Sequence, residues 1–301
     1  GFLSDFVAFG TFSSEMGILT TVVSLIPDRE GSILYRGKVT TSDFQLGELF
    51  QNENFGTLTF DGSVDGNFNK STQTIFGEFK GDIAEIEAKQ YAYKNIILDG
   101  ILDNKMFNGM LSINDPNLVF DFIGRINLNP EIPDFNFKLN LEKAILGKLN
   151  LSKNFPASEL AFEMLANFTG DRIDNLRGSI ELENGVYQNR NGDLNLKGIK
   201  LASIPGDLIN SLTFTSGFFD IGIVGNYHFQ SILKALEKSI NNYLPATNYE
   251  IQELVENNIF DYQIDVKNLD EITTVFTPGL EIETPFLLYG TMDSENSIFN
   301  L

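Results

Sequence analysis

His228 is the only histidine in 301 residues, so a serine-histidine dyad or an imidazole base would have to be built beside it. Its place at the opening of a helical stretch favours a structural part over a catalytic one. Acidic side chains are the other chemical resource. Asp61 and Asp65, and likewise Glu181 and Glu183, project together from one strand face, and two facing carboxylates are what glycoside cleavage needs. Any polar sheet face gives the same spacing, and a chain with 41 carboxylates makes such coincidences expected. Asp115-Pro116-Asn117 offers oxygens but lacks the alternating ligands and closing glutamate of a calcium loop, so it reads as a turn. With no cysteine there is no disulfide, no thiolate metal site and no sulfur nucleophile. Neither a phosphate-cradling GxxxxGK[ST] loop nor a strand-linked GxGxxG is present, and the three short Asn-x-Ser/Thr sequons at Asn69, Asn150 and Asn167 are of a length that occurs by chance. No catalytic residue, metal or cofactor is expected.

Charge narrows the partners. Acidic residues outnumber basic ones 41 to 21, giving a net charge of −20 spread along the chain. Such a field repels nucleic-acid phosphates and anionic membrane surfaces, so no nucleic-acid partner is expected. The absence of cysteine fits an oxidising compartment. No stretch approaches the roughly 18 consecutive apolar residues of a membrane helix, and Gly1-Phe2-Leu3-Ser4-Asp5 has no basic region ahead of an apolar one. A lone glycine before a mid-protein-like sequence reads as a piece cut from something longer.

What must position any site is strand. Leu58, Phe60, Val64 and Phe68 fall on one face of an alternating run, with Thr59, Asp61, Ser63, Asp65 and Asn67 on the other. The pattern recurs at Leu118, Phe120, Phe122, Ile126 and Leu128, and at Phe135, Phe137, Leu139 and Leu141. Leu160, Phe162, Met164, Ala166 and Phe168 repeat it, as do Leu176, Ile180 and Leu182. Shorter copies sit at Tyr262, Ile264 and Val266 and at Phe286 and Leu288. One-sided alternation predicts an antiparallel sheet with a solvated outer face. Turn residues at 103–105, 114–117, 129–130, 183–185 and 189–192 separate the runs into a meander of hairpins. Glycines inside the runs, at 62, 66, 77, 81, 100, 109, 124 and 178, predict bulges, curvature or close backbone approach.

One segment departs from this. Phe229, Ile232, Leu233, Leu236, Ile240 and Tyr243 are spaced three or four apart, which predicts an amphipathic helix over 228–244 that ends at Pro245 and packs its stripe on an exposed sheet face. A shorter turn is expected around Ile251, Leu254 and Val255. No helical period is found between Gly31 and Ile204. With no Pro/Gly/Ser linker, residues 1–301 are expected to form a single mainly all-β segment, an elongated, curved antiparallel meander folded into a taco-like groove, with a helical insertion at 226–257.

A phenylalanine-rich face cannot stay in water, because each such side chain gains about 1.5–3 kcal/mol on burial. A second sheet, barrel closure, the 228–244 helix, a partner chain or a hydrophobic ligand could cover it. Unbroken hairpin order favours a folded-over sheet whose interior is a groove. The groove lining is then Leu58, Phe60, Val64, Phe68, Leu118, Phe120, Phe122, Phe135, Phe137, Leu139, Leu160, Phe162, Phe168, Ile180 and Leu182, with Phe229, Ile232, Leu233, Leu236 and Ile240 on the covering helix.

The stretches Tyr93-Lys94-Asn95-Ile96-Ile97-Leu98-Asp99-Gly100, Phe107-Asn108-Gly109, Asn114-Asp115-Pro116-Asn117 and Phe120-Asp121-Phe122-Ile123-Gly124 resemble TamB-type members of the AsmA-like superfamily of bridge-like lipid transfer proteins, in the style of Bacteroidota. Phe168-Thr169-Gly170, Asn175-Leu176-Arg177-Gly178-Ser179-Ile180 and Tyr243-Leu244-Pro245 carry the same resemblance, which spans roughly residues 30–300. It implies a periplasmic bridge whose groove conducts phospholipids between the inner and outer membranes, together with an Omp85-type outer-membrane partner. It also implies an amino-terminal inner-membrane anchor and a partner-binding carboxy-terminal portion, neither matched by residues of this chain, so the sequence reads as a middle segment. The resemblance supplies no catalytic residues. A noncatalytic lipid conduit is therefore the leading expectation. An assembly factor that templates outer-membrane β-barrel strands on its sheet edge is the alternative. A sugar-binding β-protein is disfavoured by the lack of tryptophan.

Overall fold

The computed structural model describes residues 6–27, 31–50, 52–69, 71–204, 206, 210–229, 231–232, 258–296 and 298–300. They are mainly antiparallel β-strand, as the alternation predicts, and the chain divides into two compact units, Gly1–Glu163 and Met164–Leu301. Among the described residues no helix is long and apolar enough to cross a membrane.

The first unit is an open meander. Strands β1 (Phe6–Ser14), β2 (Gly17–Pro27), β3 (Ser32–Ser42), β5 (Phe55–Asn69), β6 (Thr74–Ala88), β7 (Tyr91–Asp103), β8 (Met106–Asp115), β9 (Leu118–Asn127) and β10 (Asp134–Ile145) pair in that order. Two-residue β4 (Phe44–Gln45) pairs beside β3 on β5.

Register decides whether separate alternating strands share one apolar face, because a slip of one residue would turn a strand inside out. Here they do. The rung Phe60, Ile83, Ile96, Ile113, Phe120, Leu141 runs from β5 to β10 without a polar residue. Parallel to it run Gly62, Gly81, Leu98, Leu111, Phe122, Leu139, then Val64, Phe79, Gly100, Gly109, Gly124, Phe137, then Gly66, Gly77, Leu102, Phe107, Ile126, Phe135. Glycines face glycines across strands, and phenylalanine rings fill the space they leave. A Cβ on Gly62 would stand 2.4 Å from the Phe60 ring, and one on Gly100 would stand 2.7 Å from the Phe107 ring. Gly62, Gly77, Gly81 and Gly100 are thus ring seats, whereas a Cβ on Gly109 or Gly124 would first meet the backbone of the neighbouring strand.

The opposite face is wet and cross-linked by exposed ion pairs. Arg36 meets Asp65 at 2.7 Å, Lys38 meets Asp61 at 2.9 Å and Lys80 meets Asp99 at 2.6 Å. Each is worth little singly at this exposure.

Strand β11 (Glu159–Thr169) runs across the boundary between the units. In the second unit β12 (Arg177–Asn189) pairs with both β13 (Gly192–Asn195) and β14 (Ile199–Ile204). A meander follows through β15 (Asn210–Thr215), β16 (Phe219–Asn226), β17 (Ile259–Val266), β18 (Phe286–Asp293) and β19 (Ile298–Asn300).

One local expectation needs correction, and three short helical elements were not announced by the sequence. Glu183-Asn184-Gly185 is not a turn but lies inside β12, where the strand changes partner from β14 to β13 and Asn184 takes a positive φ of 50°. A helical turn at Leu46–Phe50 and a 3-10 turn at Ile173–Asn175 interrupt the stretch read as free of helix; both are too short to show a period. Asp270–Phe276 is a helix that the sequence did not announce, because six of its seven residues are β-branched, aromatic or aspartate with low helix propensity. Tertiary contact holds it. Val275 is fully buried against Leu194 and Phe218, and its carbonyl accepts hydrogen bonds from the Asn189 and Asn191 amides at 3.1 and 2.9 Å.

Candidate functional site: an apolar face and an apolar hollow

Three points the sequence raised for chemistry can be placed by their hydrogen bonds and ion pairs. Asp61 and Asp65 are engaged by Lys38 and Arg36 on the wet face, and Glu181 by Lys200 at 2.7 Å. Asp115 is buried and accepts the Tyr91 hydroxyl and the Lys94 and Asn117 amide hydrogens, so it ties the hairpin ends of β7, β8 and β9 together. Burial and the hydrogen bond to Asp115 push the Tyr91 phenol up from its usual range. The His228 amide donates to Asn258 Oδ1 at 2.7 Å. Among the described residues no group of three His, Asp or Glu side chains could hold a metal.

The predicted lining residues fall into two sets. Phe60, Val64, Phe68, Phe120, Phe122, Phe135, Phe137 and Leu139 share the first unit's apolar face through the rungs above, Phe68 being opposite Ile75 and Ile33. Leu58 lies across from Ile86 and Phe44. Phe122 is the most covered of this set, with the Phe107 and Phe137 rings 6.0 and 5.3 Å away. A local rib covers one end of the face: Leu149 and Ala144 are buried with Leu141, and Leu118, Phe120, Leu139, Leu160 and Phe162 pack against them.

Ile180, Leu182 and Phe168 belong to the second unit. Phe168 abuts Gly178, whose Cβ would stand 2.9 Å from the Phe168 Cα. Ile180 heads a rung that continues through Leu201, Phe214, Ile221, Ile264 and Leu288, and Leu182 lies opposite Ile199. The next rung holds Leu212, Ile223 and Tyr262, and the one beyond pairs Phe260 with Met292. These rungs floor a hollow of about 520 Å³ to whose wall no polar atom contributes. The Tyr262 hydroxyl is turned away to the Asn300 carbonyl at 2.9 Å.

Phe229, Ile232 and Ile173 form the roof. They are held by hydrogen bonds rather than by packing alone. The Asp174 carboxylate accepts the Phe229 amide hydrogen at 2.6 Å, satisfying one of the orphan donors of an opening helical turn. Fully buried Asn258 accepts the His228 amide and donates to Ser231 Oγ at 2.7 Å, while its own amide donates to Ser294 Oγ at 2.8 Å. Tyr227 is buried behind this roof, edge-on to Phe229 with ring centres 5.6 Å apart. Burial pushes its phenol up, against a lowering hydrogen bond from Ser203, and the nearby Asp174 charge raises it further.

Of the predicted helix, Phe229 and Ile232 are therefore in the roof, whereas Leu233, Leu236 and Ile240, and the turn expected near Ile251, lie outside the described residues. The hollow's floor was missed as a site. Its signal was present in Leu212, Phe214, Phe219, Ile221 and Ile223 alternating with Thr213, Thr215, Asp220 and Gly222, but two or three apolar residues per short strand become a cavity only once register stacks them. No protein-family model matches the chain, and neither a curated protein nor a solved structure does.

Proposed function

We propose that this protein is a noncatalytic conduit that shields the acyl chains of phospholipids in the periplasm as they pass between the inner and outer membranes. One observation carries the reading: four adjacent rungs of the first unit present only apolar side chains and glycine across six strands, with no polar anchor among them. A surface of that kind solvates hydrocarbon evenly and fixes nothing in place, as passage requires. Headgroups would keep to the polar rim. The partner of the longer protein, on the resemblance stated above, is an Omp85-type outer-membrane protein.

The test is photo-crosslinking with a diacyl phospholipid carrying a diazirine in one tail, followed by mapping of the labelled peptides. Label is expected at Phe120, Phe122, Phe137 and Leu139, and charged substitutions at Phe120 and Phe137 should abolish transfer between vesicles while the protein still accumulates. Label confined to outer-face residues such as Ile97 and Ile123, or none, would refute the proposal. A second reading, an assembly factor that adds a client strand to its sheet edge, draws on β1, which pairs with β2 and exposes Val7, Phe9 and Phe12. Crosslinks of client protein along β1 in place of lipid along the face would favour it.

A further inference from the structure

We infer that the hollow of the second unit is a discrete binding site for one aliphatic chain, limited in length, with the headgroup left outside. The assignment rests on the acyl-chain reading above and adds to it a stoichiometry and a size limit that an open face cannot impose.

The wall chemistry excludes other ligand classes. With no polar atom in the wall, any ligand hydroxyl, amide or charge carried inside would lose its water and gain no partner. What enters must be hydrocarbon. Volume then sets how much. A methylene takes roughly the ~30 Å³ share of one liquid water, so about 520 Å³ accepts on the order of 17 methylenes, enough for one long chain and too few for two. The geometry also gives the hollow a blind end. Tyr227, Met292 and Phe260 are buried there beside Leu212 and Ile223, backed by the Asn258, Ser231 and Ser294 hydrogen bonds. At the other end Phe214, Ile264 and Leu288 are only half-buried, and Phe214 and Phe219 stack at 5.3 Å as a flat jamb. A chain would enter past these rings and stop under Phe229.

Such a site predicts a broken line. Saturated fatty acids of 8 to 20 carbons, competed against a fluorescent fatty acid on the full chain, should gain roughly fourfold in affinity per added carbon, the ~0.8 kcal/mol per buried methylene converted at ~1.4 kcal/mol per decade. The gain should stop at about 16 to 18 carbons, with one chain bound per protein. Ile264→Trp, which adds bulk to the floor at a half-buried position, should move the break about two carbons shorter, on the same volume arithmetic. Leu288→Trp, on the neighbouring strand, provides a second reading should the first variant fail to fold, and Ile123→Ser on the outer face of the first unit should leave the break where it was. Affinity still climbing at 20 carbons, or two or more chains per protein, would overturn the single-chain site. So would no uptake at any length. In that last case phospholipid label on β9 and β10 would leave the conduit standing, and the loss of both would remove the conduit too.

Discussion

Truncation of Phe122 tests whether the first unit's apolar face is held by ring-on-ring packing or merely by its strand ladders. Phe122 is 6% exposed and Phe68, on the same face, is 37% exposed. The difference arises because Phe122 lies between the Phe107 and Phe137 rings and opposite Leu111 and Leu139. Phe→Ala in a core costs about 3–5 kcal/mol, and a site with neighbours on a single layer can relax, so Phe122→Ala should cost about 3 kcal/mol. Phe68→Ala, already largely wet, should cost about 1 kcal/mol or less. With a urea slope of roughly 2 kcal/mol/M, the midpoints should fall by about 1.5 M and 0.5 M at unchanged slope. The chain has no tryptophan, so tyrosine emission from Tyr91 and Tyr93, beside the rib of this unit, is the local probe and far-ultraviolet circular dichroism the global one. Equal midpoint shifts for the two variants would refute the argument, since they would show that lateral ring contacts add nothing beyond the backbone pairing.

Glycine positions separate close approach from mere looseness. Gly81→Ala places a Cβ 2.4 Å from the Asp61 carbonyl and 2.6 Å from the Gly62 Cα, and should cost about 1–3 kcal/mol in urea unfolding, whereas Gly222→Ala meets nothing within 4 Å and should be neutral or stabilising by up to about 1 kcal/mol. Asn258→Ala strands the His228 amide hydrogen and removes the donor to the Ser231 oxygen, whose own hydrogen still reaches the His228 carbonyl, and should destabilise the second unit by about 2 kcal/mol or more, while loosening the roof enough to speed fatty-acid release in stopped-flow displacement. Acid should weaken the second unit. Burial alone would raise the Asp220 carboxyl, but the Lys267 ammonium at 2.8 Å and the Ser216 amide hold it below its usual value. The Asn175 and Asn296 amides do the same for Asp171 and Asp293. A folded-state value below the unfolded one contributes stability above the unfolded value, near pH 4, that is lost as pH falls through the folded value. Unfolding midpoints followed from pH 7 to pH 2 should therefore drop below about pH 4, and less steeply in Asp220→Asn.

Much of the architecture was legible because a one-layer sheet writes its two environments into alternate residues. Leu58 to Phe68 and Phe135 to Leu141 could be assigned to a dry face without knowledge of any neighbour, since water on the other side demands Asp61, Asp65, Lys138 and Asn140. Register was not legible. That Gly62 faces Gly81, or that Gly109 stands between Gly100 and Gly124, follows from hairpin lengths and from the shift of pairing between Thr59 and Phe60, which composition does not encode. The Asn184-Gly185 pair misled for a related reason: residues tolerant of positive φ serve equally in a hairpin turn and where one strand changes partner. The 270–276 helix was invisible because its stability is supplied by partners outside it, Leu194 and Phe218 around Val275 and the Asn189 and Asn191 amides on the Val275 carbonyl, rather than by the helix propensity of its own residues.

The two units pose different physical problems to a hydrocarbon chain, and the difference follows from what lies above each face. Over β5 to β9 the rungs carry glycine at one position in three or so, and a methylene resting on one such layer keeps part of its surface in water. Its gain is a fraction of the full ~0.8 kcal/mol, and the same fraction at the next rung. Equal, shallow wells favour sliding. In the second unit Phe229, Ile232 and Ile173 line the hollow together with Leu212, Ile223 and Phe260, so a methylene between them is covered from both sides and its gain approaches the full value. A chain of 16 carbons that must leave such a hollow gives up many of those increments together, and its departure slows exponentially with the number of methylenes covered. The roof rests on two carboxamide and carboxylate contacts, Asn258 to His228 and Asp174 to Phe229, which hold backbone groups rather than lipid. Weakening either should therefore change how long a chain stays without changing which chains fit, and a variant at Asn258 that altered the length limit and not the release rate would contradict that division of labour.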